Sequence, residues 1–267
     1  MNRSRAHLIS FCLLALSFSA LAQQKPEADT EGAKSALIQF IELSNKQALR
    51  TPEAHPLLFN EAINWDTPSL GKLAAGPDKV ILINKRFAVA RLQWYGENNY
   101  VADLYFYLTF DGSWRIGAVG RLALTGIVEM AYQGLKSKKT LTKAEQDELS
   151  NLELLLAPDE TLRAWFRRNI ETMNKLYDLT RTMRKGDSVS LPAQDKRFPD
   201  ITRILNEIHF DVVEVLEDGN VQITIGGVTD NTVGFIYSPS NNPPSIDPHS
   251  YIWVEEVATR WFLFRTT

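Results

Sequence analysis

Tyrosines, an arginine and an acid on two neighbouring predicted strands are the side chains of this chain best suited to binding. On one face of these strands they combine aromatic area with polar tips: Arg91, Gln93, Tyr95, Asp103, Tyr105 and Tyr107. Residues of this kind are enriched at protein interfaces, although tyrosine is also an ordinary strand former on a half-exposed sheet. We predict that these six residues bind a partner or ligand.

Carboxylates are the side chains best suited to acid–base chemistry, which needs acids whose environments differ. Arg91 and Asp103 lie on neighbouring predicted strands, where a cross-strand ion pair is the ordinary expectation and an acid in a pocket is the alternative. Glu255 and Glu256 are consecutive in a predicted strand. They therefore point to opposite faces, and at most one of them is buried.

Histidine and the familiar catalytic motifs give little support for other chemistry. His55, His209 and His249 are far apart, and the chain has no HExxH or CxxC pattern, so we expect no metal site. A turn explains Asp247 and His249 better than a metal pair does, and His209, two residues before Asp211, fits the edge of a strand. The chain has no GxSxG, GxGxxG or GxxxxGK[ST] sequence, so no cofactor is expected.

The first 22 residues have the pattern of a secretory signal peptide, with two arginines, an apolar run over 8–20 and small residues at 20 and 22. The run is shorter than the ~20 residues that span a bilayer. Cys12 is the only cysteine, and Phe11 before it disfavours lipidation. We expect cleavage after Ala22, a periplasmic or secreted location, and a mature protein without disulfides.

Composition narrows the class of partner. The formal net charge is −3, which disfavours nucleic acid. No apolar run after the signal approaches membrane-spanning length, so no membrane span is expected after cleavage. The remaining partners are another protein or a small ligand.

Apolar periodicity predicts an α+β protein in which helices and antiparallel strands follow one another in blocks. A flexible leader over 23–32 precedes a domain of helix and antiparallel meander over 33–125. Its strands are predicted at 80–83, 86–95, 100–110 and 114–121. Alternation along these strands predicts one apolar sheet face and one polar and aromatic sheet face.

The second half is predicted to contain a helical segment, a linker and a small β domain. The helical segment covers 126–185, with a capping box at Thr142 and Glu145 and a long amphipathic helix from Asp159 to about Gly186. Prolines and charges predict a linker over 186–199. The β domain over 200–267 has a short helix and five antiparallel strands, at 210–216, 221–225, 232–237, 251–257 and 261–265.

The hairpin Phe106–Ile116, an apolar strand followed by Asp-Gly and then Trp-x-Ile, resembles the nuclear transport factor 2-like superfamily. The resemblance covers about 33–121. It implies a cone-like sheet wrapped around helices, with a ligand or active site inside. The Asp-His pairs of catalytic members have no counterpart here, because no histidine lies in the predicted strands. The C-terminal strands resemble no particular family.

These observations favour an exported, non-enzymatic binding or interaction protein, of the kind that immunity or inhibitor proteins represent. The alternative is a hydrolase or isomerase that uses Asp103 or a neighbouring carboxylate in the cone, and a third candidate is a cell-envelope assembly factor. A filled cone with an exposed tyrosine face would favour the binding protein. A pocket holding a buried, unpaired carboxylate would favour the enzyme.

Overall fold

The computed structural model describes residues 28–45, 72–96, 101–120, 125–191, 196–228, 231–247 and 250–266. The predicted signal peptide, the first part of the leader, and His55 and His249 lie outside the described residues. The described helices and strands confirm the α+β class.

The N-terminal elements form an antiparallel sheet with a helix on one face. They are α1 (Thr30–Asn45), β1 (Lys72–Leu73), β2 (Lys79–Asn84), β3 (Phe87–Tyr95), β4 (Val101–Phe110) and β5 (Trp114–Gly120). The strand order is β1-β3-β4-β5, and β2 also pairs with β3. Two predictions need correction. Helix α1 begins inside the predicted leader, where the Asp29 carboxylate accepts a hydrogen bond from the Gly32 amide, and β1 was not among the predicted strands.

The face of this sheet that was predicted to be apolar packs on α1, as alternation requires. Phe40 and Ile41 of α1 contact a core that contains Leu92, Phe106 and Leu108. The Phe40 and Phe106 rings lie 5.6 Å apart, edge to face. All of these side chains are fully or almost fully buried, so the apolar face of the sheet is covered by α1.

The middle helices are α2 (Thr125–Lys136), α3 (Lys143–Leu155) and α4 (Asp159–Thr180). The predicted capping box of α3 is present: Thr142 Oγ1 accepts from the Glu145 amide, and Glu145 Oε2 accepts from the Thr142 amide. Helix α4 ends at Thr180, six residues before Gly186 and so earlier than predicted. After it, the Met183 amide donates to the Thr180 carbonyl at 2.9 Å.

A second antiparallel sheet closes the chain. Its elements are β6 (Ser188–Ser190), α5 (Pro199–Ile208), β7 (Val212–Val215), β8 (Val221–Val228), β9 (Asn231–Tyr237), β10 (Tyr251–Ala258) and β11 (Trp261–Thr266), and the strand order is β10-β11-β9-β8-β7-β6. All five predicted strands are present. Strand β6 corrects part of the predicted linker, because Val189 is buried and pairs with Val213.

The predicted helical segment and β domain share one core. Leu162 and Phe166 of α4 pack in the same cluster as Phe235 and Trp261 of the second sheet, and the Phe166 ring lies 4.8 Å from that of Phe235. None of the described helices is both long and apolar enough to cross a membrane.

Candidate functional site

The sheet face predicted to bind a partner lies mostly inside the molecule. Arg91 is 2% exposed and Tyr105 1%, and Asp103 and Tyr107 are also buried. Trp253, in β10, covers this face, and its ring lies 5.2 Å from that of Tyr105. These four predicted residues therefore meet the second sheet and α4 of the same chain.

The other two predicted residues lie near the end of β3. Tyr95 is exposed, and its hydroxyl donates to Gln93 Oε1 at 2.9 Å. Gln93 is half-buried and pairs across the sheet with Asp103. The structure thus brings Arg91, Asp103 and Tyr105 into one cluster and leaves Tyr95 at the surface.

Arg91 lies at the centre of this cluster. Its Nη1 donates to Asp159 Oδ2 at 2.9 Å and to Glu255 Oε2 at 2.7 Å, while its Nη2 donates to Asp78 Oδ2 at 2.6 Å. Its guanidinium carbon lies 5.1 Å from the centre of the Trp253 ring, within cation–π range. In the sheet Arg91 lies opposite Tyr105, and Asp103 lies opposite Gln93. The ion pairs of Arg91 are therefore with acids outside β4 and not with Asp103.

Asp159, the first residue of α4, is fully buried and receives three side-chain donors. Its Oδ2 accepts from the Tyr105 hydroxyl at 2.9 Å as well as from Arg91, and its Oδ1 accepts from Arg265 Nε at 2.8 Å. Its backbone amide donates to Asp103 Oδ2 at 2.7 Å. A helix N-terminus favours both carboxylates, because its free amides carry partial positive charge.

Glu255 ties β10 to this cluster. Its Oε1 accepts from Lys79 Nζ at 2.6 Å and from Arg163 Nη1 at 2.5 Å, and its Oε2 also accepts from the Trp253 indole. Glu256 is exposed, so the expected alternation of the two glutamates is confirmed. We call the following eight residues the charge network: Asp78, Lys79, Arg91, Asp103, Asp159, Arg163, Glu255 and Arg265.

Burial and neighbouring charges set the pKa values within the charge network. Burial, reinforced by the negative charge of Asp159, raises the pKa of Asp103 to about 6. Burial alone would also raise the pKa of Asp159, but Arg265 and Arg91 outweigh it and lower that pKa. Burial is the main reason why the pKa of Tyr105 lies well above its usual value.

The charge network is electrically balanced, with four basic and four acidic side chains. Each of its carboxylates accepts at least one donor. Acid–base catalysis needs a group that reaches substrate, whereas the buried acids here are occupied by partners of the same chain. Removing one member of such a network costs far more than the network adds to stability. Its evident role is to fix how β3, α4, β10 and β11 meet.

A groove with a volume of about 370 Å³ lies between α2, α3, the end of α5 and β8. Val128, Leu152 and Leu155 contribute apolar surface to it. Its polar lining residues are Asp147, Glu148, Asn151, Asn206, His209 and Asp211. Its volume falls within the range of small-ligand sites, and its lining mixes apolar and charged side chains.

His209 enters the groove because it terminates α5. It adopts the left-handed conformation, with φ of 59°, and its amide bonds back to the last turn of the helix. Its Nδ1 lies 3.4 Å from Asp147 Oδ1. The prediction that His209 only marks a strand edge is therefore incomplete, since it caps the helix that precedes β7.

Two further observations limit the chemistry of the described part of the chain. No three His, Cys, Asp or Glu side chains there are grouped so that they could hold a metal ion. Comparison with protein-family models, with curated proteins and with solved structures found no match to this chain. The resemblance of 33–121 to the nuclear transport factor 2-like superfamily therefore stays a prediction.

Sequence reasoning missed Asp159 and Arg265 as members of a site. For Arg265 the sequence holds a usable pattern, because it follows the apolar residues Trp261 and Leu263 at two-residue spacing and so shares the inward face of β11 with them. A charge at such a position needs a buried partner. Asp159 left none, since an acid in the first turn of a helix is common at the surface as well.

Proposed function

We propose that this chain is an exported, periplasmic, non-enzymatic interaction protein, and that a partner protein docks on α2 at the groove. The observation that carries this proposal is the pair Ile127 and Met130, which are 51% and 70% exposed beside the groove. They are three residues apart on α2 and so share one helix face. Large apolar side chains left in water next to a cavity mark interaction sites.

The packing of the N-terminal sheet also supports binding over catalysis. The apolar sheet face, which would line the cone of the alternative enzyme, packs on α1. Asp103, its favoured acid, accepts a hydrogen bond from the Asp159 amide and lies under the second half of the chain. The carboxylate that was proposed for catalysis is thus committed to an internal contact.

The proposed docking surface differs from the tyrosine face inferred from the sequence. The Tyr105 hydroxyl donates to the Asp159 carboxylate, and the Tyr107 hydroxyl donates to the Ile252 carbonyl. A partner would have to separate the two sheets to reach them. Helix α2 needs no such opening, since Ile127 and Met130 are already exposed. Export rests on the signal pattern of the first 22 residues.

The test compares two substitutions of the same kind at exposed apolar sites. Met130→Glu puts a charge on the proposed docking surface. Leu82→Glu puts a charge on β2, at a side chain that is 37% exposed. With the mature chain as bait in periplasmic extract, the wild type and Leu82→Glu should retain the same protein and Met130→Glu should lose it. Equal capture by all three proteins would contradict docking at α2.

A further inference from the structure

We propose that the groove receives the ammonium group of a lysine side chain from the partner protein, held between Asp211 and Asn151 above Gly226. This inference rests on the proposed function and names the chemistry that the partner must present. Its basis is a pair of side-chain oxygens that converge in the groove without a donor among the described residues.

Asn151 has a fixed orientation. Its Nδ2 donates to the His209 carbonyl at 2.7 Å and to the Ile225 carbonyl at 2.6 Å, which uses both amide hydrogens. A flipped amide would set its oxygen against two carbonyl oxygens. The Oδ1 atom is therefore presented as an acceptor, and no donor from the described residues reaches it.

Gly226 supplies the space where the two oxygens meet. A Cβ at this position would lie 2.8 Å from Asp211 Oδ2 and 3.2 Å from Asn151 Oδ1, with Leu155 Cδ1 at 3.4 Å. Both oxygens and the Leu155 side chain thus lie close over the bare Cα of Gly226, and we place the ligand atom farther out in the groove, between the two oxygens. Glycine is required here because a Cβ would crowd Asp211 Oδ2.

Among the described residues, none forms an ion pair with the half-buried carboxylate of Asp211. Burial is the cause that raises its pKa, and no donor from the described residues bonds its carboxylate. The titratable lining residues are Asp147, Glu148, His209 and Asp211, and Lys143 on α3 is already paired with Asp147. The groove is therefore complementary to a positive charge.

A lysine fits this arrangement better than other cations. An ammonium group is compact and has three donors, enough for both oxygens, and its aliphatic stem would pack against Leu152 and Leu155. A calcium ion requires six or more oxygen ligands and a magnesium ion an octahedral set, which one carboxylate and one amide do not supply. The apolar neighbours Ile127 and Met130 then suit apolar residues that flank the lysine.

The test uses a defined probe, the peptide acetyl-Ala-Leu-Lys-Leu-Ala-amide, and its analogue with norleucine in place of lysine. Binding to the mature chain is measured by titration, with the backbone amides of Gly226 and Gly227 followed by NMR. We expect the lysine peptide to bind about tenfold more tightly than the norleucine peptide, as one charge-assisted hydrogen-bonded contact would give. Both glycine amides should shift only with the lysine peptide.

Variants locate the ammonium contact. Asp211→Asn should erase the preference for lysine, whereas Glu148→Gln, which removes the same charge from the same groove, should change it less than about twofold. Gly226→Ala should also erase the preference, because its Cβ would lie 2.8 Å from Asp211 Oδ2 and displace that carboxylate. Circular dichroism of each variant checks that it is folded.

Equal affinity of the two peptides, absence of binding, or an unchanged preference in Asp211→Asn would overturn the lysine contact. The proposed function is judged separately, by capture of the natural partner. If Met130→Glu loses that partner while Asp211→Asn keeps it, docking at α2 stands and the lysine contact fails. If both variants keep the partner, the proposed function fails as well.

Discussion

At the residue scale, Asp103 shows what the sequence could and could not predict. Alternation along the strand placed it correctly on the same face as Tyr105 and Tyr107. Its neighbours came from α4 and β11, which lie far away in sequence. Strand periodicity tells which side chains share a face, but not what covers that face.

Asp103 should make stability depend on pH in an identifiable direction. Its pKa of about 6 in the folded chain lies above the ~3.9 of an unfolded aspartate. The stability that it contributes is therefore fully present below about pH 4 and is lost as the pH rises through about 6. Asp103→Asn cannot ionise, and its amide oxygen can still accept from the Asp159 amide.

We compare the free energy of unfolding of Asp103→Asn with that of the wild type at each pH. The difference, variant minus wild type, should increase by up to about 3 kcal/mol between about pH 4 and pH 7. Urea unfolding at intervals of one pH unit measures this difference. Asp200→Asn serves as the control for the loss of one exposed carboxylate, because the Asp200 side chain is 68% exposed and its ion pair with Arg203 lies at the surface, so its difference should change much less over the same range. A flat difference for Asp103→Asn would show that this acid ionises as an unfolded aspartate does.

At the element scale, local patterns predicted the helices and strands well where one face is apolar. The capping box of α3 and all five C-terminal strands are present. Strand β6 was missed because its three residues carry only one apolar side chain, Val189, and its strand character comes from pairing with β7. Long-range pairing of this kind leaves no local pattern.

The charge network joins elements whose order in the chain gives no hint of contact. Arg265→Leu would remove the Nε donor of Asp159 Oδ1 and the donor of the Ala157 carbonyl. Because Asp159 stays buried, we expect a loss of about 3–5 kcal/mol in the free energy of unfolding. Denaturant unfolding of this variant tests the expectation.

Arg115→Leu is the matched control, since Arg115 also lies on a strand and pairs with an acid, Asp111, but both of these side chains are more than a third exposed. Its cost should stay within about 1 kcal/mol. In the double variant Arg265→Leu, Asp159→Asn, the cost should be smaller than the sum of the single costs, because the unpaired charge is gone. Equal costs for the two arginine variants would contradict the assigned role of the charge network.

At the scale of the whole molecule, the N-terminal sheet has two buried faces. One packs on α1 and the other on β10 and α4. The polar and aromatic composition of the second face had suggested an external binding surface. That composition also suits an internal junction, where tyrosine hydroxyls and an arginine find buried acceptors.

We propose that the partner protein contacts α2 and the groove, while Tyr105 and Tyr107 stay buried within the chain. Hydrogen exchange of the mature chain, free and bound to the captured partner, tests it most directly. We expect new protection in 125–136 and 143–155, with exchange in 101–110 unchanged. New protection in 101–110 without any in 125–136 would contradict it.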